Sequence, residues 1–236
     1  MAKKRSGLDL SSKASFGEHV LDFNRWLAGV RLKLPKGVTL LRPFTDPEVN
    51  RVNDLFYSRF FGDENARRFL LGINPGRLGA GITGIPFTDP VSLEQDCAIS
   101  NSFNKRPELS SDFIYRMIEA MGGTVHFYRR FFVTSVCPLG FMKEDVNLNF
   151  YDDKELIAST DAFIRRSMAR QLEFGCDRSV AFILGEGKLF DYFSKVNLEE
   201  GYFSELVPLP HPRFVMQYRR KKLDDFIELY CQKLNN

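Results

Sequence analysis

Two polar side chains and one flat ring hold most of the chemistry available to this 236-residue sequence. Asn74 follows the apolar run Phe69-Leu70-Leu71-Gly72-Ile73, and His211 lies between Pro210 and Pro212. An amide donates and accepts hydrogen bonds without changing its charge, so Asn74 suits the orientation of a water or a ligand edge. An imidazole held between prolines is a hydrogen-bond donor to charge that builds up on a ligand oxygen. Between them in sequence come four glycines, Gly76, Gly79, Gly81 and Gly84, then Pro86 and Phe87. The glycines let backbone approach a ligand closely, and Pro86 stiffens the exit so that the ring of Phe87 is presented beside Asn74.

Two other glycine loops are excluded. Gly76-x-x-x-x-Gly81-Ile82-Thr83 has the spacing of a phosphate-cradling P-loop, but Ile82 stands where the phosphate-reaching lysine is required. Gly79-Ala-Gly81-Ile-Thr-Gly84 has the Gly-x-Gly-x-x-Gly spacing of a dinucleotide site, but that site must follow directly on a strand, and here Asn74-Pro75 intrudes after the apolar run. A second stretch, Arg213-Phe-Val-Met-Gln-Tyr-Arg-Arg-Lys-Lys222, interleaves cations with aromatic and apolar residues. It suits a loop in which Arg213, Arg219, Arg220 and Lys221 grip phosphates while Met216, Gln217 and Tyr218 push a wedge between stacked bases.

Strands and helices must bring these residues together. Helical spacing predicts a helix from Ser15 with Phe16, Val20, Phe23 and Leu27 inward, and a second from Asp46-Pro47. From residue 68 onward strand and helix alternate: strands at 69–73, 130–137, 180–184 and 203–209, with helices from Asp112 to Gly122, over 153–173, around Leu189–Val196 and at the C-terminus. That is the pattern of a three-layer α/β fold, a mostly parallel sheet of about four strands covered on both faces. Its ligands bind beyond the carboxyl ends of the strands. Asn74, Ser135, Cys137, Gly185 and His211 all fall at that rim.

A hydrophobic content of 44%, with 23 Phe against one Trp, implies a Phe-rich core and excludes wholesale disorder. The net charge of +3 confines any polyanion site to local clusters. The cysteines Cys97, Cys137, Cys176 and Cys231 are too scattered for a zinc site and read as free thiols. No apolar run reaches membrane-spanning length, and the expectation is a cytoplasmic protein, nucleoid-associated if bacterial. Residues 1–13 read as a basic flexible arm before a single domain over 14–236. No cofactor or metal is expected.

Gly72-Ile73-Asn74-Pro75-Gly76, continuing to Thr83-Gly84-Ile85-Pro86-Phe87, resembles the first motif of the uracil-DNA glycosylase superfamily. It is most similar to the single-strand-selective monofunctional branch. Phe132-Val133-Thr134-Ser135-Val136-Cys137-Pro138-Leu139 is similar to that branch's second-strand motif, and His211-Pro212 to its last. The resemblance, over roughly residues 65–225, implies that Asn74 places the attacking water and that Phe87 stacks on a flipped base. It also implies that backbone around Ile73 and Gly76 lines the pocket and that His211 stabilises charge on the leaving base. The activity implied is monofunctional hydrolysis of the N-glycosidic bond of a deaminated base in DNA, by a monomer.

Two positions depart from that pattern. Ser135 replaces a base-reading asparagine and reaches fewer base atoms than an amide, which opens the choice of base from uracil to hypoxanthine or xanthine. Arg213 replaces a small residue. Two other readings stay open at this point: a non-catalytic nucleic-acid-binding module on the same fold, and a hydrolase of free nucleosides.

Overall fold

The structure, a computed structural model, describes residues 13–236. Of the expected basic arm only Lys13 is among them, and the rest lies outside the described residues. Helix α1 (Phe16–Gly29) opens with a capping box, Ser15 Oγ accepting from Glu18 N at 3.3 Å and Glu18 Oε2 accepting from Ser15 N at 2.7 Å. Its buried stripe is the predicted one, Phe16, Val20, Phe23 and Leu27. The short strand β1 (Thr39–Leu40) follows, then α2 (Pro47–Phe60), capped by Asp46 with Pro47 in its first turn.

Strand β2 (Arg67–Gly72) is central in the sheet, which suits its apolar sequence. Short helices α3 (Ala80–Thr83) and α4 (Pro90–Gln95) lead to α5 (Leu109–Ala120) and α6 (Gly123–Tyr128), and then to β3 (Phe131–Ser135). The chain next forms a hairpin, β4 (Phe141–Lys143) and β5 (Val146–Leu148), before α7 (Lys154–Leu172), β6 (Cys176–Leu184), α8 (Lys188–Glu200) and β7 (Glu205–Leu209). Two helices close it, α9 (Pro212–Tyr218) and α10 (Leu223–Asn235), joined by a 3₁₀ turn at Arg220–Lys222.

The main sheet has the order β3-β2-β6-β7 and is parallel throughout. Right-handed crossovers put α7 and α8 on one face, where α1 meets α7. The β2-to-β3 connection steps the other way, so α5 covers the opposite face, with α9 and α10 against it. The interior between is dominated by phenylalanine, with Phe16, Phe61, Phe69 and Phe132 packed ring on ring at 5.0–6.5 Å.

Several elements differ from the expectation, among them β6, which begins at Cys176 and not at Val180. Helix α5 starts at Leu109 with Glu108 as its cap; Asp112 sits inside its first turn and pairs with Arg116. Strand β7 is shorter than 203–209, and it admits Pro208 because it is an edge strand. A second, antiparallel sheet, β1-β4-β5, was not foreseen. Its hairpin turns at Glu144 and Asp145, with φ of +49° and +60°, where Asn-Gly is the usual signal. Finally, the stretch after His211 is helix α9, not a loop.

Candidate active site

The carboxyl ends of the parallel strands open into a cleft of about 380 Å³. Ile73, Asn74, Gly76, Phe87, Ser135, His211, Arg213, Gln217 and Tyr218 all line it, so most of the residues predicted for a site do meet. Gly72 and Ser135 are register partners on adjacent strands β2 and β3, which places Ser135 at the cleft floor, 4% exposed.

Phe87 is in the left-handed region with φ +53°, an uncommon state for a bulky side chain. Buried hydrogen bonds hold the turn around it. Thr83 Oγ1 donates to Thr88 O at 2.6 Å and accepts from Ile85 N at 3.1 Å. Asn53 Nδ2 reaches down from α2 to Thr83 O at 2.7 Å. The strained backbone thus aims one ring at the cleft, with its centroid 6.3 Å from that of His211.

Asn74 is clamped by the end of β5 and the residues just after it. Its Nδ2 donates to Leu148 O at 3.1 Å, and its Oδ1 accepts from Phe150 N at 3.0 Å. The amide orientation follows from that pair. Nδ2 is engaged with carbonyls, and Oδ1 keeps one lone pair for a further donor.

His211 caps α9, its Nδ1 accepting from Arg213 N at 3.1 Å. With Nδ1 an acceptor, the neutral ring carries its proton on Nε2. Burial pulls the His211 pKa down to about 4; nearby Glu108 works against that shift and Arg213 with it. At neutral pH His211 is therefore an uncharged N–H donor.

Glu108, missed in the sequence, is the buried anion of the site at 8% exposure. Its Oε1 accepts from Arg213 Nη2 at 2.6 Å and from Ser110 Oγ at 3.1 Å, while Oε2 accepts from Ser111 N at the start of α5. Arg213 thus ties α9 to α5 while its side chain stays 46% exposed. The signal was available: an acid directly before Leu-Ser-Ser at a helix start. Asn147 and Asn149, also in the cleft, come from the unforeseen hairpin and had no such signal.

Two further predicted contacts change. Met216 is 3% exposed and belongs to the core, because α9 turns it inward with Val215. It cannot be a wedge. On the outer face of the same helix Phe214 and Tyr218 are 43% and 61% exposed, and Gln217 is exposed beside them. Arg219, Arg220 and Lys221 are exposed beyond the cleft.

With this parallel sheet and rim site, the chain belongs to the Uracil DNA glycosylase superfamily, whose model matches residues 59–235. Within it the chain is SMUG-like. The crystal structure of wild-type Pedobacter heparinus SMUG2 is similar with a TM-score of 0.91 and 38% sequence identity, over 94% of this chain and 98% of that one. Comparison with curated proteins gave no match.

Proposed function

We propose that the protein is a monofunctional DNA glycosylase that flips a deaminated base into this cleft and hydrolyses its N-glycosidic bond as a step of base excision repair. The observation that carries the reading is the meeting of Asn74, Phe87 and a neutral His211 in one cleft. The ring of Phe87 stacks on the extrahelical base. As the glycosidic bond lengthens, its electron pair moves onto the base, and His211 Nε2–H donates to the base oxygen where negative charge collects. The sugar becomes oxocarbenium-like and is captured by water held on the free lone pair of Asn74 Oδ1. An amide cannot take the proton from that water, so the anionic base is its final acceptor.

The floor of the cleft supports a broad choice of base. Ser135 offers one short hydroxyl where an amide would fix a base edge, which leaves space for the larger ring system of hypoxanthine or xanthine as well as uracil. Exposed aromatic and basic residues on and after α9 favour a polymer over a free nucleoside. Release of free base from oligonucleotides carrying uracil, hypoxanthine or xanthine tests the reading. Activity on free nucleosides with none on oligonucleotides would overturn it.

A further inference from the structure

We propose that a basic concavity on α1 and α7, outside the cleft, carries the phosphodiester backbone of the nucleic-acid strand as it leaves the site. This inference takes its ligand class from the DNA-glycosylase reading. The concavity, of about 500 Å³, is walled by Arg25, Arg31, Arg166 and Arg170 around Trp26, and no acidic side chain lines it. Of the four arginines only Arg25 has a salt-bridge partner among the described residues, Asp22.

Two of the cations, Arg166 and Arg170, are held by an aromatic surface in place of counter-charge. Trp26 stacks on Phe163 at 5.7 Å and 19°, and the guanidinium carbons of Arg170 and Arg166 lie 4.6 Å and 5.5 Å from its ring centroid. A guanidinium over an indole is oriented by the ring and keeps its N–H groups for another acceptor. Such grouping of like charge raises the local positive potential, and an anionic ligand relieves it. Arg166 and Arg170 are one helical turn apart, about 6 Å along the axis, so they form a row and do not converge on one point. A row matches successive phosphates better than a single small anion.

The concavity is also connected to the cleft. Arg42 donates to Ala28 O and Val30 O at the end of α1, beside Arg31. Its neighbour Leu41 bonds to Gly140 at the base of the β4–β5 hairpin and packs near Gly81 in α3, next to Ala80, which lines the cleft. Arg77 is exposed in the turn between Gly76 and Leu78, two residues that line the cleft. The contacts of Arg42 and Leu41 join the end of α1, with Arg31 beside it, to the border of the cleft.

The test is binding of undamaged single strands of two lengths, one filling only the cleft and one several times longer, across a salt series. For Arg166→Gln with Arg170→Gln, affinity for the long strand should fall about tenfold, and its log–log salt slope should flatten by about 1.4, at roughly 0.7 per lost phosphate contact. Short-strand binding, single-turnover base release and melting temperature should not change. Arg166→Lys with Arg170→Lys should restore most of the long-strand slope. An unchanged long-strand slope, an equal loss on both lengths, or competition by inorganic pyrophosphate with no length dependence would each overturn the proposal. Wild-type protein that binds neither strand would instead refute the DNA-glycosylase reading, before any variant is compared.

Discussion

Phe87 rests on the bare backbone of Gly72: a methyl group built on Gly72 would stand 2.4 Å from Cε2 and 2.6 Å from Cζ of its ring. No side chain fits there unless the ring moves. The last residue of the central strand therefore sets the position of the aromatic wall. Gly72→Ala should reduce single-turnover base release about as much as Phe87→Ala, which removes stacking worth roughly 1–3 kcal/mol, or about 5- to 150-fold in binding of the flipped base. The double variant should be no worse than Phe87→Ala alone, because both changes act on one ring. Additive losses would show that Gly72 matters for some other reason.

Asn74 has a structural duty as well as a chemical one. Asn74→Ala should slow base release on the order of a hundredfold or more, the usual effect of losing one polar contact made in the transition state. Asn74→Asp separates the two duties. It keeps an acceptor for Phe150 N but sets a carboxylate oxygen against Leu148 O, where Nδ2 now donates. Urea unfolding should show a loss of about 1–3 kcal/mol for the aspartate variant. Undiminished stability would mean that the clamp on the hairpin carries little energy.

His211 should not titrate near its ordinary value of 6.5. With its pKa drawn down to about 4, the folded protein keeps the ring neutral while the unfolded chain takes up a proton below 6.5. Stability contributed by this group is thus present above about pH 6.5 and declines as pH falls toward 4. Base release should show no inflection near 6.5 from His211. Nitrogen-15 NMR should find the proton on Nε2 at neutral pH, and a charged imidazolium there would contradict the donor role assigned to the neutral ring.

The exposed cations beyond α9 should act uniformly on DNA. Removing Arg219 and Arg220 together should weaken binding of damaged and undamaged strands alike and flatten the salt slope by up to about two units. Met216→Ala should behave differently, costing about 2–5 kcal/mol of stability as a core truncation, with no selective effect on duplex substrates. Calorimetry and binding on single and double strands separate the two cases.

The sheet and the rim could be read from the chain because each strand carries its own signal. The second halves of β2 and β6 are apolar runs closed by glycine turns, and Ser15 and Asp46 mark helix starts by local capping chemistry. What could not be read depends on the surroundings. Glu144-Asp145 turns a hairpin in conformations those residues seldom adopt, so the segment that clamps Asn74 gave no warning. Met216 and Gln217 are neighbours in sequence, and only helical geometry sends one inward and the other to the surface. The pairing of Arg213 with Glu108 had no local signal because the two lie 105 positions apart.

The most direct test is single-turnover release of uracil, hypoxanthine and xanthine from single- and double-stranded oligonucleotides by the wild-type protein and by His211→Ala, with DNA affinity measured alongside. The wild type should release at least one of these bases, and the variant should lose on the order of a hundredfold or more in rate with affinity nearly unchanged. Wild-type protein that binds the strands but frees no base, or a His211→Ala variant as fast as wild type, would contradict it.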